Sequence, residues 1–348
     1  MGYDATVVSF SQITGHRRLL ALLSRSVDHE SLPPSLIFAG PGGVGKRLTA
    51  LAVAQALNCL EGSRVHASGS GVGFDACGTC AVCTRIVRGV HPDVLVVAPG
   101  DSGAIRIDQV RDIVDRSVYR PFEGRRRVVI IDEADALVPA AQHALLKTLE
   151  EPPPSSVFIL VTARPDVLLP TVRSRCPQLR FRALAAADIA AVLVARGHSE
   201  SEARAVAATA GGSLGQALEA SAGELVNARD VAQRVLAYAS VNREPGRRID
   251  GAKELLTKTG TTGAADRDQL AAHLRAMASL LRDVEVLATR ADDRMLANPD
   301  VRPALDRLTE TYRGQRGIRA FAAIDQALVA LDRNAGVKVV ADWVVLQL

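Results

Sequence analysis

One stretch of the sequence combines glycine and lysine at the spacing that holds phosphate groups. Residues 36–39 are apolar, residues 40–47 follow the pattern G-x-x-x-x-G-K-R, and residues 48–57 are apolar at helical spacing. A glycine-rich loop between a strand and a helix can turn its backbone N–H groups toward an anion, and the helix N-terminus adds partial positive charge. The sequence therefore predicts a phosphate-binding loop. Its candidate residues are Gly40, Gly42, Gly43, Gly45, Lys46 and Arg47.

Arg47 departs from the usual pattern of such a loop. The position normally carries Ser or Thr, whose hydroxyl ligates the Mg²⁺ that bridges the phosphates. An arginine side chain has no acceptor atom. Thr49 cannot replace the hydroxyl, because two positions along a helix rotate a side chain by about 200°. We expect an impaired metal site, and whether ATP or ADP binds statically is left open.

A second acidic element follows the apolar run at residues 127–131. Asp132 stands at the end of this predicted strand, where a carboxylate can hold Mg²⁺ through its water shell. Glu133, the next residue, could polarise an attacking water. An acidic turn without function is the alternative, and the phosphate loop upstream makes it the less favoured of the two.

Four cysteines have the spacing of a zinc site: Cys59, Cys77, Cys80 and Cys83 read C-x17-C-x2-C-x2-C. The two C-x2-C steps place three thiolates within reach of one tetrahedral Zn²⁺, and Cys59 completes a closed, structural set of four ligands. Disulfide pairing is the alternative, which a reducing cytosol disfavours. The intervening residues 61–75, rich in Gly and Ser, must loop out for the ligands to meet.

Alternating patterns predict the elements that position these residues. Apolar runs alternate with helical patterns up to Phe181, which is typical of a parallel sheet covered by helices on both faces, with phosphates at the carboxyl ends of its strands. Beyond Phe181 only helical patterns follow, and we expect residues 242–248 to interrupt them. The predicted strands after the first are residues 93–98, 127–131, 156–162 and 178–181. The predicted domains are an α/β domain at residues 1–182 with the zinc module at 59–83, a small helical domain at 183–222, and a helical bundle at 223–348.

Composition narrows the class of protein. The 348 residues suffice for two or three domains, and 48% hydrophobic with only 3% aromatic residues favours a helix-rich globular protein. The sequence predicts neither a membrane span nor a secretory signal, so we expect a cytoplasmic protein. A net charge of +4 permits contact with nucleic acid without indicating it. With few aromatic residues for stacking, a run of arginines at 125–127 could contact DNA only electrostatically, and a solvated face is the commoner outcome.

Three further motifs give the chain a family resemblance. They are Asp-Glu-Ala-Asp at 132–135, Leu-Leu-Lys-Thr-Leu-Glu-Glu-Pro-Pro at 145–153 and Ser-Arg-Cys at 174–176. In this order they resemble the clamp-loader ATPases, which load the ring-shaped sliding clamp onto primed DNA. The resemblance covers the first 220 residues well. It implies a P-loop AAA+ domain with a five-stranded parallel sheet, a small helical lid domain, and a helical collar that holds five subunits together.

The resemblance also implies roles for individual residues. Arg175 matches the arginine that reaches across a subunit boundary to the γ-phosphate of a neighbour's ATP, although a solvated surface arginine is the alternative. A guanidinium suits this role because it keeps its charge and offers a planar fork to phosphoryl oxygens. Thr162 matches the family's first nucleotide sensor, and the alternative is that it is an ordinary residue at the end of a strand. Bacterial members carry a similar four-cysteine zinc module. The family's motor subunits carry a Gly-Ser-Leu-Arg motif whose arginine senses nucleotide, but the motif here ends in Gly215.

Two catalytic elements are therefore missing while Arg175 is present. The combination is similar to a stator-type subunit of the DNA polymerase III holoenzyme, which would sit beside a gamma/tau-type ATPase subunit and near delta. It would act on the clamp and primed DNA through the complex and hydrolyse little ATP alone, with Glu133 a residual catalytic group. One alternative is a competent gamma/tau-type motor ATPase. Another is a zinc-bearing nucleotide-binding scaffold that never touches a clamp.

Overall fold

The computed structural model describes residues 9–67, 71–100, 103–219, 222–242, 244–256, 263–291, 296–332 and 335–348. It divides into two compact units, Met1–Leu184 and Ala185–Leu348. The first unit contains every candidate site residue except Gly215. A division of the second unit into lid and collar at residue 222 stays a prediction.

The first unit alternates strands with helices. Its strands are β1 (Ser35–Ala39), β2 (Ser63–Ala67), β3 (Gly71–Asp75), β4 (Val94–Val97), β5 (Arg127–Ile131), β6 (Ser156–Thr162) and β7 (Gln178–Arg180). Its helices are α1 (Arg17–Asp28), α2 (Lys46–Asn58), α3 (Ala81–Val87), α4 (Ile107–Val118), α5 (Pro139–Glu150) and α6 (Pro170–Arg173). Five strands form one parallel sheet in the order β4-β5-β6-β1-β7, which confirms the predicted architecture.

The sheet is buried on both faces because successive strand side chains point to opposite sides. Phe38 and Ile130 pack in a core with α1 and α2, whereas Ile37 and Val129 pack in a second core with α4 and α5. All four side chains are almost fully buried. Burying each such side chain contributes about 1.5–3 kcal/mol, so the two cores hold the strand ends that carry the candidate site.

The insertion between the first two cysteines folds into an antiparallel ribbon of β2 and β3, with Ser63 opposite Asp75. The prediction that these residues loop out of the cysteine cluster agrees with this ribbon. Asp75 fixes its end by accepting hydrogen bonds from the backbone N–H groups of Phe10 (2.9 Å) and Ser11 (3.0 Å). The ribbon therefore returns the chain from Cys59 to Cys77.

The second unit is helical throughout its described residues. Its helices are α7 (Ala186–Ala195), α8 (Glu200–Thr209), α9 (Leu214–Glu219), α10 (Ala222–Val241), α11 (Pro245–Leu255), α12 (Gly263–Ala288), α13 (Arg302–Tyr312), α14 (Gln315–Asp332) and α15 (Val337–Gln347). The predicted interruption at 242–248 was wrong in its extent, because α11 begins at Pro245. Proline is tolerated in the first turn of a helix, where its missing N–H needs no partner. No helix in the described part of the chain is long and apolar enough to cross a membrane.

Candidate functional site

The phosphate loop joins β1 to α2 at the carboxyl edge of the sheet. Glycine is required at Gly40, where a Cβ would lie 2.2 Å from the carbonyl oxygen of Phe181, and at Gly45, whose φ is 97°. Lys46 is almost completely buried, and its Nζ donates to the carbonyl oxygens of Gly40 (2.6 Å) and Pro41 (2.5 Å). The Lys46 side chain thus folds back over the loop in which it is expected to bind phosphate.

Burial lowers the pKa of Lys46, and the nearby carboxylates of Asp132 and Asp135 act in the opposite direction. The acidic element therefore faces the loop closely enough to influence its lysine. Charge of both signs meets at this edge of the sheet, as the sequence predicts for a phosphate site.

His16 also contacts the loop, which the sequence analysis did not anticipate. Its Nε2 lies 3.0 Å from the carbonyl oxygen of Val44, and its ring packs edge-on against Phe181 with the ring centroids 4.9 Å apart. Burial lowers the pKa of His16, with the charge of Lys46 a smaller contribution in the same direction. A lone histidine preceding a helix gives no signal that would predict such a contact.

The metal side of the pocket is where this chain departs from a conventional site. Arg47 Nη1 lies 3.3 Å from Asp132 Oδ2, so the carboxylate expected to hold Mg²⁺ is paired with a guanidinium. Thr49 is fully buried and its hydroxyl donates to the carbonyl oxygen of Gly45 at 2.9 Å. Neither residue offers the hydroxyl ligand that Mg²⁺ takes in such loops. The residues present do not fit a conventional magnesium site.

Glu133 directly follows Asp132, and Thr162 contacts Asp135 of the same acidic element. Glu133 adopts the left-handed conformation (φ 49°, ψ 49°), which is uncommon for a residue other than glycine. Its pKa is raised, first by desolvation and then by the charges of Asp132 and Asp135. The Thr162 hydroxyl donates to Asp135 Oδ1 at 2.8 Å, and Arg164 Nε donates to Asp135 Oδ2 at 3.0 Å. The proposed sensor residue is therefore tied to the acidic element, and Arg164 is a further charge that sequence reasoning missed.

Arg175 contacts residues at the end of α5 and in α6. It forms an ion pair with Glu150, and its Nη1 donates to the carbonyl oxygen of Thr171 (2.9 Å) and contacts the Ser174 hydroxyl (3.3 Å). About a third of its side chain is exposed. Next to it, burial raises the pKa of Cys176 to about 11, which fits a small buried residue. The structure thus leaves Arg175 partly accessible beside its own subunit's Glu150.

The four predicted metal ligands meet in space. The sulfur atoms of Cys59, Cys77, Cys80 and Cys83 all lie within 4.8 Å of one another, and Cys59 Sγ is 3.5 Å from Cys77 Sγ and 4.0 Å from Cys80 Sγ. Tetrahedral ligation at a Zn–S distance of about 2.3 Å requires sulfurs about 3.8 Å apart. All four thiols are free of disulfides. Their arrangement therefore fits a closed tetrahedral metal site.

Backbone groups prepare one of these thiols for a metal. Although burial acts to raise the pKa of Cys77, backbone N–H groups of Cys80 and Thr79 lower it to about 6. Burial raises the pKa of Cys59 and of Cys83. Because a metal binds the thiolate form, loading this site would release protons from the buried thiols.

Comparison with known proteins connects this geometry to a family. Residues 15–185 match the model of the family described as DNA polymerase III, delta subunit. The DNA polymerase III subunit delta' of Pseudomonas aeruginosa is 42% identical over 140 residues, which are 40% of this chain and 40% of that protein. The delta' subunit of Bacillus subtilis is 34% identical over 167 residues, 48% of this chain and 47% of that protein.

A relative of another type matches as well. The DNA polymerase III subunit gamma/tau of Mycobacterium tuberculosis is 34% identical over 185 residues, which are 53% of this chain and 30% of that protein. The chain thus spans less than half the length of each of these relatives. The matched residues 15–185 contain the whole five-stranded parallel sheet and its phosphate loop. This part of the chain belongs to the DNA polymerase III clamp-loader family.

Proposed function

We propose that the chain is a delta-prime-type stator of the DNA polymerase III clamp loader, which lends Arg175 to a neighbouring ATPase subunit while the sliding clamp is loaded onto primed DNA. The observation that carries the proposal is a contrast between two arginines. Arg47 pairs with Asp132 on the metal side of the chain's own pocket. Arg175 keeps the family motif and is partly exposed. Arg47 weakens catalysis in this subunit, and Arg175 is available to a neighbouring subunit.

A second departure from a motor subunit supports the proposal. Gly215 lies in the first turn of α9, where the family's motor subunits carry an arginine that senses nucleotide. Glycine has no side chain that could contact a phosphate. The two missing elements lie in different units of the chain, so one local substitution does not account for both.

An arginine supplied by one subunit can accelerate hydrolysis in another because it stabilises charge on the phosphoryl group in the transition state. In GTPases such a residue contributes about 10³–10⁵-fold. The neighbour that fits here is a gamma/tau-type subunit, with delta in the same complex. Residues 223–348 would form the collar that joins these subunits, and the clamp and primed DNA would be reached through the complex in the cytoplasm.

The four cysteines would hold one structural Zn²⁺ in this subunit. The ion would join the end of α2 to the start of α3 through Cys59 and the C-x2-C-x2-C run. With four protein ligands the site has no open position for substrate, so zinc would stabilise the fold and take no part in ATP hydrolysis.

ATP turnover by purified subunits tests the proposal. We expect the chain alone to hydrolyse ATP negligibly, and we expect its addition to gamma/tau and delta to raise turnover in the presence of clamp and primed DNA. Magnesium-dependent turnover by the chain alone, abolished by Lys46→Ala, would instead identify a motor. That second candidate is favoured by the 34% identity to a gamma/tau subunit and by the presence of Lys46, Asp132 and Glu133.

The scaffold alternative requires a different measurement. If the chain never joins a clamp loader, a pull-down with gamma/tau and delta should recover neither subunit. Recovery of a stable complex of all three is the result that the proposal predicts.

A further inference from the structure

We infer that the Arg47 guanidinium takes the place of Mg²⁺ in this pocket, so that the loop binds a nucleoside diphosphate or triphosphate without any divalent cation. The inference rests on the proposed function in one respect, namely that this pocket does not hydrolyse ATP. It assigns a ligand class, and binding without a metal ion, to a pocket that would otherwise be regarded simply as degenerate.

Arg47 places a positive charge beside the acidic end of β5. In a conventional loop, Mg²⁺ lies between the phosphate oxygens and the acidic strand end. Here Arg47 Nη1 lies 3.3 Å from Asp132 Oδ2, and the Asp132 side chain is only 13% exposed. A positive charge belonging to the chain itself is therefore held against the carboxylate that would otherwise attract the metal ion.

The Arg47 guanidinium has more hydrogen-bond donors than its pair with Asp132 uses. Arginine offers five N–H groups in a planar fork, and the ion pair with Asp132 is made through Nη1. The Arg47 side chain is 58% exposed, so part of the fork faces solvent. Phosphate oxygens match this fork in geometry and charge, and such charge-assisted hydrogen bonds are stronger than neutral ones.

The groups next to Arg47 add further positive charge. Arg47 is the second residue of α2, directly after Lys46, so both cations lie at the N-terminal end of the helix. The buried Lys46 ammonium now donates to two loop carbonyls, which phosphate oxygens could replace as acceptors. Two fixed positive charges and the helix N-terminus thus converge where the polyphosphate would lie.

Mg²⁺ itself does not fit this place. A divalent cation at this place would meet the charges of Arg47 and Lys46, and it would have to displace Arg47 from Asp132. It would also lack the loop hydroxyl, since the Thr49 hydroxyl is directed to the Gly45 carbonyl. A guanidinium donates hydrogen bonds but cannot coordinate and polarise oxygens as a metal ion does. The bound nucleotide is therefore retained without being hydrolysed.

Calorimetric titration of the purified full chain with ATP and ADP, in EDTA and in excess Mg²⁺, tests the inference. For the unmodified chain we expect a measurable Kd in EDTA that lies within fivefold of the value in Mg²⁺. Arg47→Thr should bind nucleotide at least tenfold more weakly in EDTA than in Mg²⁺, because the substitution replaces the guanidinium with a hydroxyl that can ligate Mg²⁺. Lys46→Ala should weaken binding in both buffers.

Arg111→Thr, an exposed arginine on α4, is the matched control and should behave as the unmodified chain does. Equal thermal midpoints show that the variants are folded. The inference is overturned if the unmodified chain binds no nucleotide in either buffer, if EDTA weakens its binding by more than fivefold, or if Arg47→Thr shows no greater magnesium dependence. None of these results would change the role proposed for Arg175, which is measured by the neighbour's ATP turnover.

Discussion

Arg175 is ion-paired with Glu150, the last residue of α5. A carboxylate at this end of a helix faces the negative end of the helix dipole, which disfavours it, and the guanidinium offsets that cost. Both side chains are partly exposed, at 32% and 47%, so the pair contributes no more than about 1 kcal/mol. A phosphate group of higher charge could therefore exchange with Glu150 as the partner of Arg175.

Glu150→Gln should increase ATP turnover in an assembled loader. Removing the carboxylate charge frees Arg175 for the neighbour's phosphate, and a pair worth up to about 1 kcal/mol corresponds to a gain of up to about fivefold. Steady-state hydrolysis with clamp and primed DNA measures the effect. Glu151→Gln, at the exposed next position, should leave turnover unchanged. A decrease with Glu150→Gln would show that Glu150 orients Arg175 for the reaction instead of restraining it.

The cysteine cluster should contain one zinc ion per chain. Cys80→Ser removes one of the four ligands, so we expect loss of the ion and a lower thermal midpoint, with destabilisation on the order of several kcal/mol. Elemental analysis and thermal unfolding check the two effects. Cys176→Ser, which alters a buried cysteine outside the cluster, should keep the zinc. A metal-free chain whose thermal midpoint does not respond to chelators would contradict the assignment.

Asp93 should make the first unit sensitive to acid. Its buried carboxylate accepts hydrogen bonds from the backbone N–H groups of Phe122 (2.7 Å), Glu123 (2.9 Å) and Gly124 (2.8 Å), and it pairs with Arg127 (2.8 Å). Burial alone would raise the pKa of Asp93, but these donors lower it to about 2. The resulting stabilisation, on the order of 2 kcal/mol, is present above about pH 4 and is lost as the pH falls through about 2.

Urea unfolding of Asp93→Asn checks this expectation. At neutral pH the variant should lose about 3 kcal/mol or more, because it also leaves the nearly buried Arg127 without its charged partner. The difference from the unmodified chain should shrink toward pH 2, where Asp93 itself becomes protonated. Asp115→Asn, on the exposed side of α4, should have little effect at either pH. A difference that does not depend on pH would rule out the linkage.

Local patterns in the sequence were sufficient to predict most of the first unit. β4, β5 and β6 are near-continuous apolar runs, so their positions follow from burial on both faces of a parallel sheet. The phosphate loop and the C-x2-C-x2-C run of the cysteine cluster can be recognised from short spacings in the sequence, whatever fold surrounds them. The β2–β3 ribbon was not predicted as strands because residues 61–75 are rich in Gly and Ser and lack a clear alternation of apolar and polar residues.

Contacts between distant elements could not be predicted in the same way. Arg127 belongs to a run of arginines that is typical of a solvated face, yet it begins a central strand and its pair with Asp93 compensates its burial. The pair of Arg175 with Glu150 likewise joins residues 25 positions apart, and no local sequence pattern predicts that they are close in space. Such pairs depend on how the sheet brings its loops together.

The central claim is that Arg175 acts on ATP bound by another subunit, and Arg175→Ala in a reconstituted loader tests it most directly. Arg173→Ala is the matched control, since Arg173 is exposed two positions away and pairs with Asp166. We predict that both variants assemble with gamma/tau and delta. Turnover with clamp and primed DNA should fall for Arg175→Ala only, and by far less than the about 10³–10⁵-fold effect of an arginine at a single site, because the other subunits keep their own arginines. Unchanged turnover in a fully assembled Arg175→Ala loader would contradict the account.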